Sequence, residues 1–433
     1  MNEKTGQVEQ NYDVIVVGGG PAGMMSAGRA GELGAKVLLL EKNNTLGKKL
    51  LITGGGRCNV TNAEFDNRKL LERFKDDGKY LFSPFSEWSV KDTLDFFHKR
   101  KMETKVENEN RVFPLSDKSQ SVWDVMVDYV KNDNITILSD SPVEDLVVVD
   151  SKVVGVKLKN GETYDAKSII IATGGNSRPE TGSTGDAFVW LDKVGHKIIK
   201  PTPSLVPLAS PDKWVKELSG VSLTNIKLTP YVDGVKQVAK KNRPGSSKLP
   251  QKILFTHFGI SGPSVLNMSK EIGELLPYGD VVISLDLLPD HDYAKLNTAL
   301  QDLFKINDKK KIKNSLGELI PNAMVPIILI KSGIDPELAC NSVTRESRIK
   351  LINLLKNVPI RIDHLLGTDK AIITSGGVSL DEIDWKTMSS KLFPNLFLVG
   401  DVLNIDRPSG GFSLQLCWTT GFVAGSNAVN KAR

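Results

Sequence analysis

The chain has 433 residues, a length that predicts two or three domains of roughly 100–200 residues each. Apolar residues make up 40% and charged residues 25%, with 37 glycines and 21 prolines, and these proportions exclude a fibrous, disordered or coiled-coil protein. The net charge of +5 is too small for a protein dedicated to packing nucleic acid, although it leaves room for an anionic partner.

The cysteines and the hydropathy pattern indicate the cellular compartment in which the protein is expected. Cys58, Cys340 and Cys417 are far apart and form no CxxC pair, so neither a zinc ribbon nor a redox-active dithiol is expected. The histidines are scattered, so we expect no metal site. Residues 408–430 carry no charge but are too rich in Gly, Ser and Thr for a membrane span, and no signal-peptide pattern is present. We therefore expect a soluble protein in the reducing cytoplasm.

The first predicted elements form a βαβ unit. Residues 12–17 are an apolar run typical of a buried parallel strand. Residues 22–34 are rich in Ala, Met and Gly, as expected of a helix packed closely on a sheet, and residues 36–41 form a second strand.

The turn between this strand and helix carries GxGxxG, formed by Gly18, Gly20 and Gly23. Gly18 permits the tight turn, Gly20 lets backbone approach a pyrophosphate, and Gly23 permits close helix–strand packing. Glu41 lies about 20 residues further on, where a carboxylate accepts hydrogen bonds from the adenosine ribose. The pattern predicts a dinucleotide site; the alternative is a Gly-rich turn with a solvated glutamate.

Helices and then a strand meander follow. Residues 64–104 are mostly helical, and residues 121–131 form another helix. The expected strands cover residues 135–138, 143–150, 153–159, 162–166 and 168–172.

The pattern changes near residue 200, where several prolines mark a boundary. Residues 205–290 alternate like antiparallel strands, and residues 292–356 are predicted as helices, although periodicity does not assign residues 327–329. From residue 371 the first pattern returns, so we expect the C-terminal part of the chain to rejoin the first domain.

An acid after the second strand suits NAD and FAD equally, and three later features favour FAD. Thr173 and Gly174 end a buried strand, and Asp401 ends another, where an aspartate can bind ribityl hydroxyls. Gly410 and Gly411 open the last helix, whose N-terminus would stabilise an anionic reduced flavin. Each feature also suits a simple turn or cap, but their order along one chain predicts FAD.

Six segments resemble the bacterial HI0933-like flavoproteins, also called the BaiN/YhiN family of NAD(P)- and FAD-dependent oxidoreductases, and together they span nearly the whole chain. GGGRCN and FTHFGISGP are specific to this group, whereas GxGxxG is not. The segments are LGKKLLITGGGRCNVTN (46–62), RVFP (111–114), TGSTGDAF (181–188), FTHFGISGPSVL (255–266), TSGGVSLDEI (374–383) and GDVLNIDRPSGGFSLQ (400–415).

The resemblance implies an α/β fold with a glutathione-reductase-like, FAD-binding Rossmann domain, an inserted β-barrel domain and a helical subdomain. We expect the FAD domain at residues 1–197 and 371–433, the barrel at 198–290 with a return at 357–370, and the helical subdomain at 291–356. The expected cofactor-binding residues are Gly18, Gly20, Pro21, Ala22, Gly23, Glu41, Lys42, Lys48, Gly55, Gly56, Arg57, Asn59, Thr173, Gly174, Asp401, Gly410, Gly411 and Phe412.

Two side chains are candidates for a catalytic proton donor. His257 is either a general acid or a satisfied structural histidine. Cys58 is either a proton donor beside the flavin or a small packed side chain. Its neighbour Arg57 is a candidate to pair with pyrophosphate or an anionic substrate.

Two basic stretches favour an RNA partner. Residues 236–252 contain no acidic side chain, and in residues 305–313 Asp308 is the only acid. Each stretch is either a solvated loop or a contact to the phosphates of a large rRNA.

The resemblance implies a reductase that transfers hydride from reduced flavin to a conjugated C=C bond. Family members are associated with steroid-like enones and with dihydrouridine formation in large-subunit rRNA. NAD(P)H would be a transient reductant, because the sequence has no second GxGxxG. Two alternatives stay open: a flavin oxidase of amines or metabolites that uses O₂, and a non-catalytic RNA-binding protein that contains FAD.

Overall fold

The computed structural model describes residues 11–237 and 251–432. The chain divides into two compact units, the first formed by Met1–Pro203 and Ala371–Arg433 and the second by Ser204–Lys370. The first boundary lies a few residues beyond the expected position at residue 197, because strand Ile198–Ser204 pairs with strand Ile373–Val378 of the first unit.

The first unit contains both ends of the chain. Its strands are β1 (Tyr12–Val17), β2 (Val37–Leu40), β3 (Thr61–Asn62), β4 (Thr104–Glu107), β5 (Arg111–Pro114), β6 (Ile135–Leu138), β7 (Val143–Val149), β8 (Lys152–Leu158), β9 (Thr163–Ile171), β10 (Ile198–Ser204), β19 (Ile373–Val378), β20 (Ile383–Asp384), β21 (Ser389–Ser390) and β22 (Leu396–Leu398). Its helices are α1 (Pro21–Glu32), α2 (Lys48–Ile52), α3 (Asn67–Glu72), α4 (Phe82–Glu87), α5 (Val90–Lys99), α6 (Ser119–Val130), α7 (Asp186–Lys193) and α14 (Phe412–Ala432).

A nine-stranded sheet forms the centre of this unit, in the order β20-β21-β22-β9-β1-β2-β6, with β8 and β7 continuing from β9. The neighbours from β22 to β6 are all parallel. These strands are short apolar runs because helices cover both faces of a parallel sheet. The parallel order confirms the predicted Rossmann-type fold.

Strand β9 differs from the prediction, which divided it into two strands. Its first half pairs with β8 in an antiparallel meander, and its second half is buried between β1 and β22. One strand therefore changes partners along its length, and the polar residues between the halves mark that change rather than a break.

Small residues let α1 and α14 cross closely. A Cβ atom on Gly421 would lie 2.6 Å from the carbonyl oxygen of Ala22, and one on Gly425 would lie 2.5 Å from that of Ser26. The uncharged C-terminal segment is therefore a helix of the core, as predicted. Within the described ranges, no helix is both long and apolar enough to cross a membrane.

The second unit is an antiparallel sheet with helices. Its strands are β11 (Leu208–Ala209), β12 (Ser222–Val232), β13 (Val235–Lys236), β14 (Gln251–Thr256), β15 (Gly259–Ser261), β16 (Val281–Asp286), β17 (Val358–Ile362) and β18 (His364–Leu365). Its helices are α8 (Lys213–Glu217), α9 (Pro263–Leu275), α10 (Tyr293–Ile306), α11 (Ile312–Ser315), α12 (Val325–Ser332) and α13 (Arg345–Lys356).

The sheet of the second unit is curled. Its order is β17-β16-β12-β14-β15-β11-β18, with β13 paired to β12. The two end strands, β17 and β18, are separated in sequence by Asp363 alone. The ends of the sheet must therefore lie close together, which gives the barrel-like form that the resemblance implied. Residues 327–329, which periodicity did not assign, belong to α12.

Candidate cofactor site

A cleft crosses the carboxyl ends of four neighbouring parallel strands of the first unit. It is lined by Glu41 after β2, Gly18 after β1, Thr173 after β9 and Asp401 after β22. Neighbouring strands lie about 4.8 Å apart, so three intervals place the two ends of the cleft roughly 14 Å from each other. Its empty volume is about 1130 Å³, open solvent included. The cleft therefore lies at the place where such sheets bind an extended dinucleotide.

The three glycines of GxGxxG have different neighbours. Gly18 has φ +104°, and a Cβ atom there would lie 2.6 Å from the carbonyl oxygen of Ala172. A Cβ atom on Gly23 would lie 1.8 Å from the carbonyl oxygen of Gly18, whereas one on Gly20 would meet nothing within 4 Å. Gly18 and Gly23 thus permit close backbone packing, and Gly20 leaves open space at the N-terminus of α1.

Glu41 is held by backbone and amide donors at one end of the cleft. One carboxylate oxygen accepts a hydrogen bond from the Gly19 N–H at 2.8 Å. The other accepts two from Asn43, from its backbone N–H at 2.8 Å and its side-chain amide at 2.7 Å. A carboxylate offers roughly four acceptor positions. One position is left, which suits a single ribose hydroxyl.

The TGSTGDAF segment forms a wall beside Glu41. Lys42 donates hydrogen bonds to the Thr184 hydroxyl at 2.5 Å and to the Asp186 carboxylate at 2.6 Å, and Asn43 donates to the Thr181 carbonyl at 3.1 Å. Burial favours the neutral acid, but the hydrogen bonds from Lys42 and Thr184 hold the pKa of Asp186 below its ordinary value. Sequence reasoning identified this segment only as part of a resemblance and missed its role as a wall of the cleft.

The opposite end of the cleft carries a group of charges, Lys49, Asp401 and Arg407, which we call the charged cluster. Arg407 and Asp401 form a hydrogen-bonded ion pair, and the Lys49 ammonium lies 3.7 Å from the second Asp401 oxygen. Lys49 also donates to the Ser177 hydroxyl at 2.7 Å and to the Ser177 carbonyl at 3.1 Å. Arg407 donates to the Ser413 hydroxyl at 3.0 Å. These contacts tie the cluster to the loop after β9 and to the first turn of α14.

The charges of this cluster shift each other's pKa values. Burial opposes ionisation of Asp401, but the charges of Arg407 and Lys49 outweigh it and hold the pKa of Asp401 below its ordinary value. Burial lowers the pKa of Lys49, and the Asp401 charge only partly offsets this effect. Cys417, which also lines the cleft, has a pKa raised to about 12 by burial and by the Asp401 charge. Cys417 is therefore a neutral thiol.

The start of α14 lies beside the cleft, but its residues that line the cleft are not the ones that we expected. Ser413 and Leu414 line the cleft. Phe412 is 3% exposed and packs edge-on against Phe74, with ring centres 5.9 Å apart. Gly410, Gly411 and Phe412 do not line the cleft: the Gly410 carbonyl accepts a hydrogen bond from Asn62, and a Cβ atom on Gly411 would lie 2.3 Å from the Thr61 carbonyl oxygen. Gly410 and Gly411 hold the helix start against β3, because the backbones approach closely there.

The residues of the GGGRCN loop do not line the cleft either, although Thr53, which precedes the loop, does. Gly55 and Gly56 are exposed, with positive φ and open space around them. The Arg57 guanidinium is hydrogen-bonded to both Glu107 and Asp117 and stacks over Phe113, 4.1 Å from its ring centre. Arg57, the candidate to pair with pyrophosphate or an anionic substrate, thus has two carboxylate partners within the protein.

The two candidate proton donors are in different environments. Cys58 is fully buried among apolar side chains, and burial raises its pKa to about 12. This placement fits the packed alternative and not a donor that faces a ligand. Its neighbour Asn59 does not line the cleft either, and its side-chain oxygen is buried without a partner within the described part of the chain. His257 lies in the second unit, exposed on the turn between β14 and β15.

Of the expected cofactor residues, ten line the cleft: Gly18, Gly20, Pro21, Ala22, Glu41, Lys42, Lys48, Thr173, Gly174 and Asp401. Gly23 does not line the cleft but packs against the backbone of the turn at Gly18. The functional candidates that sequence reasoning missed are Asn43, Lys49, Asp186, Arg407, Ser413 and Cys417.

The basic stretches are only partly described. Lys240, Lys241, Arg243 and Lys248 lie outside the described residues, while Lys236 and Lys252 are exposed. In the second stretch, Lys311 and Lys313 both pair with Glu337. That stretch is therefore less positive than its sequence indicates, because an acid distant in sequence lies beside it.

Comparisons with known proteins agree with this geometry. A sequence profile described as the HI0933-like protein Rossmann domain matches residues 12–427. The ribosomal RNA dihydrouridine synthase of Escherichia coli K12 is 27% identical over 426 residues, which cover 97% of this chain and 98% of that protein. The 3-dehydro-bile acid delta(4,6)-reductase of Clostridium scindens is 26% identical over 419 residues, which cover 96% and 98%.

Solved structures share the fold at low sequence identity. A flavocytochrome c3 fumarate reductase in an open conformation matches with a TM-score of 0.53 and 18% identity over 99% of this chain and 79% of that one. The 3-ketosteroid-delta4-(5alpha)-dehydrogenase of Rhodococcus jostii RHA1 matches with a TM-score of 0.51 and 14% identity over 98% of both chains. These likenesses confirm the predicted fold class.

Proposed function

Because this chain belongs to the HI0933-like protein family, we propose that it reduces a conjugated carbon–carbon double bond, with a uridine of large-subunit rRNA as the substrate. The chain is an FAD-dependent oxidoreductase. The names of its two full-length relatives describe a dihydrouridine synthase and a delta(4,6)-reductase, and both names describe saturation of a double bond. The observation that carries the proposal is the cleft across four strand ends, which is lined by the glycine turn and by the carboxylates of Glu41 and Asp401.

The residues of the cleft fit FAD. The open space above Gly20 leaves room for a pyrophosphate at the N-terminus of α1. Glu41 has one remaining acceptor position for an adenosine ribose hydroxyl, a group that FMN lacks. Asp401, at the far end, is ionised and can accept from ribityl hydroxyls. When bound, FAD supplies the hydride that adds to the electron-poor carbon of the substrate.

The remaining steps need a reductant and a proton. We assign the reductant role to NAD(P)H, which would visit transiently because the sequence offers no second dinucleotide motif. We assign the proton to His257, whose imidazole is exposed on a turn, rather than to Cys58, whose thiol is buried.

An RNA substrate is supported by charge. Lys236 and Lys252 are exposed, and the residues between them add four positive side chains and no acid. Lys and Arg that neutralise phosphates supply most of the affinity for a nucleic acid. We propose a cytoplasmic location, which an rRNA substrate would require.

Deleting the gene and surveying the nucleosides of large-subunit rRNA by mass spectrometry tests the substrate. We expect dihydrouridine to disappear from that rRNA and to return when the wild-type gene is supplied. The Gly20→Val variant should fail to restore it, because its cleft cannot accept the pyrophosphate. Unchanged dihydrouridine in the deletion strain would refute the RNA substrate, and a soluble conjugated enone would then be the remaining candidate.

A further inference from the structure

The charged cluster has more charge than the binding of ribityl hydroxyls requires. The formal charges of Lys49 and Arg407 are positive and that of Asp401 is negative, so the formal charges of the three groups sum to one excess positive charge. The side chains of Arg407, Asp401 and Lys49 are 0%, 13% and 22% exposed. Water therefore screens this excess charge weakly.

Lys49 is the member whose charge Asp401 does not neutralise. Asp401 and Arg407 form the direct ion pair, whereas the Lys49 ammonium lies 3.7 Å from Asp401. Its short hydrogen bonds go to the hydroxyl and carbonyl of Ser177, which are neutral acceptors. Burial lowers the pKa of Lys49, so holding a charged ammonium here is costly, and such a cost is typical of functional sites.

The cluster lies at the end of the cleft opposite Glu41. If Glu41 binds the adenosine ribose, an extended FAD brings its isoalloxazine ring toward the cluster. Ser413 and Leu414, in the first turn of the long helix α14, line the cleft beside it. The partial positive charge of that helix end adds to the excess charge of the cluster.

We propose that Lys49 stabilises the negative charge of reduced FAD and thereby sets the reduction potential of the bound cofactor. Reduction transfers two electrons and one proton, as a hydride from NAD(P)H, to the neutral oxidised ring, which becomes a monoanion. A fixed positive charge beside the ring favours that product. This proposal rests on the proposed FAD site and adds to it the residue that tunes the site.

The test is the midpoint potential of bound FAD, measured by equilibration with a reference dye, in Lys49→Met and wild-type proteins. In general, two unit charges about 10 Å apart at an effective dielectric constant of about 20 interact strongly enough to change an equilibrium by roughly tenfold or more. We therefore expect a fall of about 30 mV or more, since tenfold corresponds to about 30 mV for a two-electron couple. Lys49→Arg, which keeps the charge, should stay near the wild-type potential.

Lys48→Met is the matched control. Lys48 lies on the same helix and lines the same cleft, but its ammonium points to Asn43, 3.4 Å away, near the Glu41 end. Its loss should weaken FAD binding without shifting the potential. Asp401→Asn should shift the midpoint potential in the opposite direction. It removes a negative charge, which increases the excess positive charge, and should therefore raise the potential.

The outcomes separate this inference from the proposed function. Wild-type protein without FAD would refute the FAD site itself. FAD-loaded Lys49→Met with an unchanged potential would refute the role of Lys49 alone. Shifts of the same sign in Lys49→Met and Asp401→Asn would also refute it, because they would indicate disturbed packing rather than charge. If neither variant retains FAD, the cluster holds the cofactor instead of tuning it, and the inference is wrong.

Discussion

Gly20→Val is expected to give a folded protein that has lost most of its affinity for FAD. Gly20 has φ −74° and ψ −176°, a backbone conformation that valine adopts readily, and its Cβ would meet no protein atom within 4 Å. The added side chain therefore occupies only the space that we assign to the pyrophosphate. Overpacking costs about 1–3 kcal/mol, and lost phosphate contacts add to this, so we expect FAD affinity to fall by over about one hundredfold. Titration of apo-protein with FAD, followed by fluorescence, measures it.

Gly23→Val is the matched comparison within the same motif. A Cβ atom on Gly23 would lie 1.8 Å from the carbonyl oxygen of Gly18, so this variant should be destabilised even without cofactor. Thermal unfolding should be compared on apo-proteins, because a ligand that binds only the folded state raises its apparent stability. A yellow Gly20→Val protein, or a Gly20→Val protein that unfolds like Gly23→Val, would contradict the assignment of the glycines.

Arg407→Met is expected to destabilise the first unit strongly. The Arg407 side chain is fully buried and donates to the Ile405 carbonyl at 2.8 Å, to Ser413 and to Asp401. Its removal leaves the Asp401 carboxylate buried with Lys49 as its remaining close cation. Breaking a buried ion pair in this way costs about 3–5 kcal/mol. Denaturant unfolding of apo-protein measures the loss.

Two variants test whether the broken buried ion pair causes this loss of stability. Arg407→Met and Asp401→Asn break the same ion pair, so the double variant should lose less stability than the sum of the two single losses. Arg57→Met removes an arginine that pairs with two carboxylates, Glu107 and Asp117, but is partly exposed, and it should change the unfolding midpoint little. Equal destabilisation by the two arginine variants would show that burial does not decide the cost.

The sequence predicts one end of the cleft well. GxGxxG and Glu41 have a fixed spacing because one strand, one helix and a second strand connect them, and local geometry then places them together. No comparable sequence pattern with a fixed spacing identifies the charged cluster. Lys48 and Lys49 are adjacent, and only the orientation of α2 decides that Lys49 faces Asp401 while Lys48 faces Asn43. Arg407 reaches the cluster through a loop without regular spacing.

The GGGRCN loop shows why the sequence does not place a side chain. We expected Gly55, Gly56 and Arg57 to bind the cofactor, but none of them lines the cleft. The real partners of Arg57 are Glu107 and Asp117, which are distant in sequence, and antiparallel pairing of β4 with β5 brings Glu107 into place. Likewise, Gly411 was predicted as a ligand but permits a close backbone approach to Thr61. Glycine spacing does not distinguish approach to a ligand from approach to the chain itself.

The proposed reductase function is tested most directly by anaerobic reoxidation of the FAD-loaded, fully reduced protein, monitored by flavin absorbance. We expect a conjugated C=C acceptor, either unmodified large-subunit rRNA or a steroid-like enone, to restore the oxidised spectrum and to yield one saturated bond per flavin. Gly20→Val protein, mixed with the same reductant and acceptor, should yield no product. If neither acceptor reoxidises the flavin and only O₂ does, the protein is an oxidase and the central claim is wrong.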